Sequence, residues 1–233
     1  MGRVGLIVDG LPLAYLLPVD LGYLMESPED RGKDYVTASC VRVLRYGALL
    51  LGLLLPGIYL AMVMHHQDLL PTPLLHTILE SKTAVPFSPM AEVLGLLVAF
   101  ELLQESGVHL PQAVGQSVSI IGGIVVGSAA VEAKLISSVA LIAVSIAGVC
   151  GFVLPNRDLA DAVRVWRFFV SGAAALFGLT GVAVAFGLLL IHLLTLKSFG
   201  IPYLKMHSPL RHRLKYQKNR DDALHPEDRK NQQ

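Results

Sequence analysis

Apolar residues gather into long runs separated by short polar stretches. The first runs from about Tyr46 to Met64; Pro89 to Glu132 holds two more, joined by a short turn. Two others extend from about Ile136 to Leu154 and from about Phe168 to Leu196. Runs of about 20 residues match the hydrocarbon thickness of a bilayer. Pro56 inside the first run is expected to kink that helix rather than end it, as membrane helices tolerate proline. The last run would extend about 43 Å as one helix, so it is either a long tilted helix or a hairpin broken near Gly178 to Gly181.

Ahead of the runs the pattern is different. Arg3 to Val8 and Leu13 to Leu17 are β-compatible and flank Asp9-Gly10, a dipeptide that favours a tight hairpin. Residues 19 to 35 are polar, are broken by Gly22, Pro28 and Gly32, and read as a linker with one amphipathic turn. Tyr35 to Arg45 reads as an interfacial helix whose Arg42 and Arg45 mark the cytoplasmic side. The predicted fold is an all-α integral membrane protein of about four spans plus a short re-entrant or embedded helix, with a small N-terminal β-hairpin remnant. The predicted domains are 1–34 (hairpin and linker), 35–204 (helical membrane domain) and 205–233 (basic cytoplasmic tail).

Composition agrees with the pattern: 53% of the 233 residues are hydrophobic and only 16% charged, which excludes an ordinary soluble domain. Residues 1 to 18 lack a cationic start followed by an apolar stretch and a cleavage site, so the first apolar run is expected to serve as the insertion signal. Net charge is only +1, but it is unevenly placed. Arg211, Arg213, Lys215, Lys218 and Arg220 follow one another without an intervening acid, a tail suited to anionic lipid; nucleic acid need not be invoked. Both ends thus read as cytoplasmic, which requires an even number of crossings, while the apolar segments number five. Four spans result if the Glu101 segment re-enters, six if the last run is a hairpin. Four spans put Arg157, Arg164 and Arg167 outside, against the positive-inside tendency.

Candidate chemistry lies in the Pro89–Glu132 stretch. Glu101 sits inside VLGLLVAFELL, and Gln104 and Glu105 follow at i+3 and i+4 on the same helical face. A charge in hydrocarbon costs several kcal/mol unless it faces protein or water. The stripe therefore either lines a pore or cavity, or it belongs to a short interfacial helix that reaches the headgroups. Glu92 is explained by the favourable dipole at a helix start. Further on, Gly115, Ser119, Gly123 and Gly127 recur every four residues and form a ridge that admits another helix closely. Gln116, one position away, either bonds across that contact or faces a conduit.

The remaining chemistry is thin. His65, His66 and His76 lack a third ligand of clear spacing and are read as loop histidines, not a metal site. Cys40 and Cys150 belong to no ligand or redox spacing. No phosphate-binding, nucleophile-elbow or zinc-protease motif occurs, so neither an enzyme nor a cofactor is predicted.

Longer strings go beyond pattern: VDGLPLAYLLP, SPEDRGKDYVTASCVRVLRY, PTPLLHTILESKTAVPF, ESGVHLPQAVGQSVSIIGGIVVGSAAVEA and LKSFGIPYL. From about Val4 to about Pro209 they resemble the membrane region of the A subunit of GerA-type spore germinant receptors. The sister stage V sporulation AF family shares the SPED string and the KSFG-PYL ending. The resemblance implies a nutrient-responsive complex of the spore inner membrane, in which this subunit works beside a transporter-like B subunit and a C lipoprotein. It also implies a homo-oligomer forming a nutrient-gated cation channel. Glu101, Gln104 and Glu105 match the family's FE-L-E string and Glu132 its AAVEA string, with no gating role attached to any one of them. Family members carry a large soluble domain before the hairpin, nearly all of which lies outside this sequence. The expectation is a truncated paralogue, one product of a split gene or an incomplete gene model; an AF-like accessory role or an inactive paralogue is the alternative function.

Overall fold

The computed structural model describes residues 4–7, 14–108, 122–123 and 125–204. They fall into two compact units, one formed by Leu24–His192 and the other by the described residues up to Tyr23 together with those from Leu193 onward.

The smaller unit joins two β-ribbons. Strands β1 (Val4–Ile7) and β2 (Ala14–Leu17) pair antiparallel with Val4 opposite Leu17, the hairpin expected from the two β-compatible runs. The Asp9-Gly10 turn lies outside the described residues. A single helical turn, α1 (Leu21–Leu24), follows. At the other end of the chain, β3 (Lys197–Ser198) and β4 (Ile201–Pro202) close around Phe199-Gly200, both at positive φ, the geometry a two-residue hairpin loop requires. The N-terminal and C-terminal segments are tied by the Leu21 N–H, which donates to the Tyr203 carbonyl at 3.0 Å. The Val19 N–H also donates to Ser198 Oγ at 3.2 Å. Burial, and then the Asp20 carboxylate, raise the Tyr203 phenol above its ordinary pKa.

The larger unit is helical. Helix α2 (Tyr35–Met64) is one continuous helix that takes in both the expected interfacial segment and the first apolar run, with Pro56 inside it. The stretch before it is a built cap rather than a linker. Pro28–Gly32 forms a 3-10 turn in which the Ser27 N–H donates to Asp30 Oδ2 at 3.1 Å. Asp30 takes a fork of two hydrogen bonds from Arg45, and Arg45 also donates to the Met25 carbonyl at 2.8 Å. Arg42 pairs with Glu26 at 3.2 Å. The two arginines read from the sequence as sidedness markers are therefore neutralised by Asp30 of the SPED string and by Glu26, the residue just before it.

After α2 comes α3 (Thr72–Lys82), started by Pro73, and His76, expected in a loop, lies inside it. Helix α4 (Pro89–Val108) has 20 residues, longer than the short embedded element expected around Glu101. Residues 125–132 are helical. Helix α5 (Ser138–Val153) begins at Ser137, whose hydroxyl accepts from the Ala140 N–H, and ends before Pro155. Helix α6 (Arg157–Thr195) is interrupted at Gly178, where φ is 66° and ψ −144°. The chain reverses there, since Trp166 on the first arm and His192 on the second have ring centroids 6.0 Å apart. A Cβ on Gly181 would also collide with the Ala173 carbonyl. Of the two readings of the last apolar run, the broken hairpin is the one found.

The expected count of four spans is not supported. Among the described residues two helices are long and apolar enough to cross a bilayer, α2 and α6, while α5 is apolar but shorter. Single-sequence hydropathy counts runs, and here α5 and both arms of α6 are packed as pieces of one bundle. The core of that bundle includes the fully buried Leu53, Leu60, Val93, Val144 and Val170. Small residues allow the close approaches: a Cβ on Gly52 would lie 3.2 Å from the Cβ of Cys150, and one on Gly57 would lie 2.9 Å from Cγ1 of Val170.

Candidate functional site

Two groups of charged residues are packed between these helices. The first centres on Glu101, in the middle of α4. Arg164, on the first arm of α6, reaches Glu101 Oε1 at 3.4 Å and Asp161 Oδ1 at 2.9 Å. Arg167, one turn further on, is 4% exposed and lies within electrostatic reach of both Glu101 and Arg164. Two acids and two arginines make the cluster neutral, the condition under which charges persist away from water. The Glu101 side chain nevertheless remains 38% exposed, so the carboxylate is held on one side and open on the other.

Of the other residues singled out in the sequence, Gln104 is buried and its amide nitrogen approaches Gly148 of α5. Glu105 is exposed. The polar stripe is therefore divided between an open carboxylate, a packed amide and a solvated or headgroup-facing acid. Gly123 and Gly127 do pack closely, but within the chain: added Cβ atoms would lie 3.1 Å from the Phe100 ring and 2.8 Å from the Leu141 side chain. Gly115, Gln116, Ser119 and the basic residues Arg211, Arg213, Lys215, Lys218 and Arg220 lie outside the described residues. Among the described residues no group of His, Cys, Asp or Glu stands close enough to hold a metal. His65 and His66 instead abut the chain reversal, where a Cβ on Gly178 would come within 2.8 Å of the His66 ring.

The second group was missed in the sequence. Glu92, in the first turn of α4, is buried and accepts a hydrogen bond from the Ser137 N–H at the start of α5. Its other oxygen lies 3.7 Å from Nζ of Lys82, the last residue of α3. Tyr59 of α2 is buried beside Ser137 and within electrostatic reach of Glu92. Burial lowers the Lys82 ammonium below its ordinary pKa, while Glu92 pulls it back up. A helix dipole alone, the reading given to Glu92 from its position, does not require burial. The available signal was that Lys82 and Glu92 are opposite charges on either side of one proline-rich connection.

Arg164 and Arg167 were visible as residues but not as partners of Glu101. The signal was their spacing: Asp161, Arg164 and Arg167 recur every third position on one stripe of a helix that carries no further Asp, Glu, Lys or Arg after Arg167.

The comparisons bear on the whole chain. The model of the Bacillus/Clostridium GerA spore germination protein family matches residues 1–223. Spore germination protein A1 of Bacillus subtilis is 42% identical over 202 residues, 87% of this chain and 42% of that protein. The uncharacterized membrane protein YfkQ of the same organism is 39% identical over 210 residues, 90% of this chain and 41% of that protein. Spore germination protein GerLA of Bacillus cereus is 32% identical over 246 residues, 98% of this chain and 50% of that protein. The chain thus spans at most half the length of these three relatives, and no solved structure matches it. Apolar helices long enough to cross a bilayer, and a relative named as a membrane protein, point to membrane association. With the family model matching nearly its full length, this chain belongs to the Bacillus/Clostridium GerA spore germination protein family.

Proposed function

We propose that the chain is the membrane region of a spore nutrient germinant receptor and contributes to a nutrient-gated cation path, with Glu101 at that path and Arg164 as its counter-ion. The observation that carries this reading is the half-open Glu101 carboxylate, held by an arginine of another helix inside an apolar bundle. A carboxylate bordering a conduit attracts cations and repels anions. A neighbouring guanidinium reduces that attraction, so separation of α4 from the first arm of α6 would expose the full negative charge. The pair therefore supplies both a selectivity element and a reason for it to be silent at rest.

In this reading several copies assemble around the path in the spore inner membrane, beside a transporter-like subunit that senses the nutrient and a lipoprotein subunit. Both arms of α6 then traverse the bilayer as a helical hairpin. Cation release from spores upon nutrient addition tests the proposal. Glu101→Gln, with the protein present at the native level, is expected to slow cation release by about tenfold, the loss of roughly 1.4 kcal/mol of charge attraction. Unchanged release would contradict a role for Glu101 at the path.

A further inference from the structure

Helix α3 is mostly exposed: Leu74 and Leu79 face outward, and Ile78 is its one fully buried apolar anchor. Its other inward attachment is Lys82, whose ammonium meets Glu92. Glu92 in turn does not belong to α3 alone, because its second oxygen is bound by the Ser137 N–H, the backbone donor at the start of α5. The carboxylate thus sits at the first turn of α4 and at the first turn of α5, where both helix dipoles favour an anion, with the cation coming from the last turn of α3. The groups around it are Lys82 from α3, the Ser137 N–H and hydroxyl from α5 and Tyr59 from α2.

We propose that the Lys82–Glu92 pair is a coupling latch through which the surface helix α3 controls the start of the core helix α5. If α3 is pulled away, Lys82 leaves, and Glu92 is left as a buried anion without a counter-ion. An uncompensated buried anion is costly, and the cost is relieved when the first turn of α5 opens and lets water reach the carboxylate that its Ser137 N–H holds. Release of α3 thereby reaches the start of α5 through the carboxylate, in addition to the direct packing of the two helices. The latch is independent of any ion path and stands or falls separately from it.

Hydrogen–deuterium exchange on the full chain in lipid nanodiscs distinguishes this device from ordinary packing. Lys82→Met is expected to speed exchange both in residues 72–83 and in residues 137–141, the latter by at least about threefold, as expected when a local opening becomes easier. Ile78→Ala, which weakens the same helix without touching the charge, should speed exchange in 72–83 and leave 137–141 as in the native protein. Glu92→Gln keeps an oxygen for the Ser137 N–H and should loosen α3 as Lys82→Met does. The latch is refuted if Lys82→Met affects α3 alone or nothing, if Ile78→Ala loosens α5 equally, or if Glu92→Gln leaves α3 unchanged.

Discussion

Arg45 shows how this chain carries a buried cation on a largely apolar helix. Its guanidinium is buried but well partnered, with a two-point fork to Asp30 and a bond to the Met25 carbonyl. That hydrogen-bond fork, opposed by burial, keeps the Asp30 carboxyl below its usual pKa. The sign follows: a carboxyl with a depressed pKa in the folded state stabilises fully above its unfolded value, near 3.9, and loses that contribution as pH falls through the folded value. Asp30→Asn leaves a buried guanidinium without its anion and is expected to cost about 3 kcal/mol, read as a lowered unfolding midpoint in detergent at pH 7. The native protein should lose the same advantage only below about pH 4, whereas the variant should show no such acid step. At Glu101 the same logic meets an open site. Its arginine partner satisfies one oxygen, and the exposed side of the carboxylate is what makes it a candidate for ion contact and not merely for stability.

At the scale of elements, the glycines do different jobs that residue type alone does not separate. Gly178 is conformational: its φ of 66° with ψ of −144° is closed to side chains, and His65 and His66 occupy the space a Cβ would take. Gly178→Ala is therefore expected to destabilise by about 2 kcal/mol or more, measured by thermal unfolding in nanodiscs, while Gly187→Ala, in open space, should change little. Gly57 and Gly123 are packing glycines, set against Val170 and Phe100. Gly123→Leu should lower stability along with any change in oligomer size, since its neighbour Phe100 belongs to the same chain; a lost oligomer at native stability would place the ridge between copies instead. The sequence made these elements partly legible. Pro56 within a helix and the ribbon before α1 follow from local rules about proline and β-compatible runs, and the glycines near 178 offered the break as one of two readings. Helix α3 did not, because four prolines between residues 71 and 89 suggest a loop when three of them in fact sit at helix starts. The bond from Ser137 to Glu92 spans 45 positions, a separation at which no periodicity speaks.

For the whole molecule, the charges on α4 and α6 provide the link from fold to function. A sequence read alone sees three acids on an apolar helix and three arginines elsewhere, and the sidedness rule then sends the arginines to the wrong surface or spoils the span count. Folding removes the conflict for Arg164 and Arg167, because they are interior counter-ions and not topology markers. The same pairing makes the central claim testable as a difference in sign. In planar bilayers containing the chain with its receptor partner subunits, the reversal potential under a potassium chloride gradient reports cation over anion selectivity. Glu101→Gln should move it toward zero, and Arg164→Gln, which frees the carboxylate, should move it toward the potassium limit. Reversal potentials equal to the native value in both variants, or shifted the same way, would contradict a charge pair bordering the ion path.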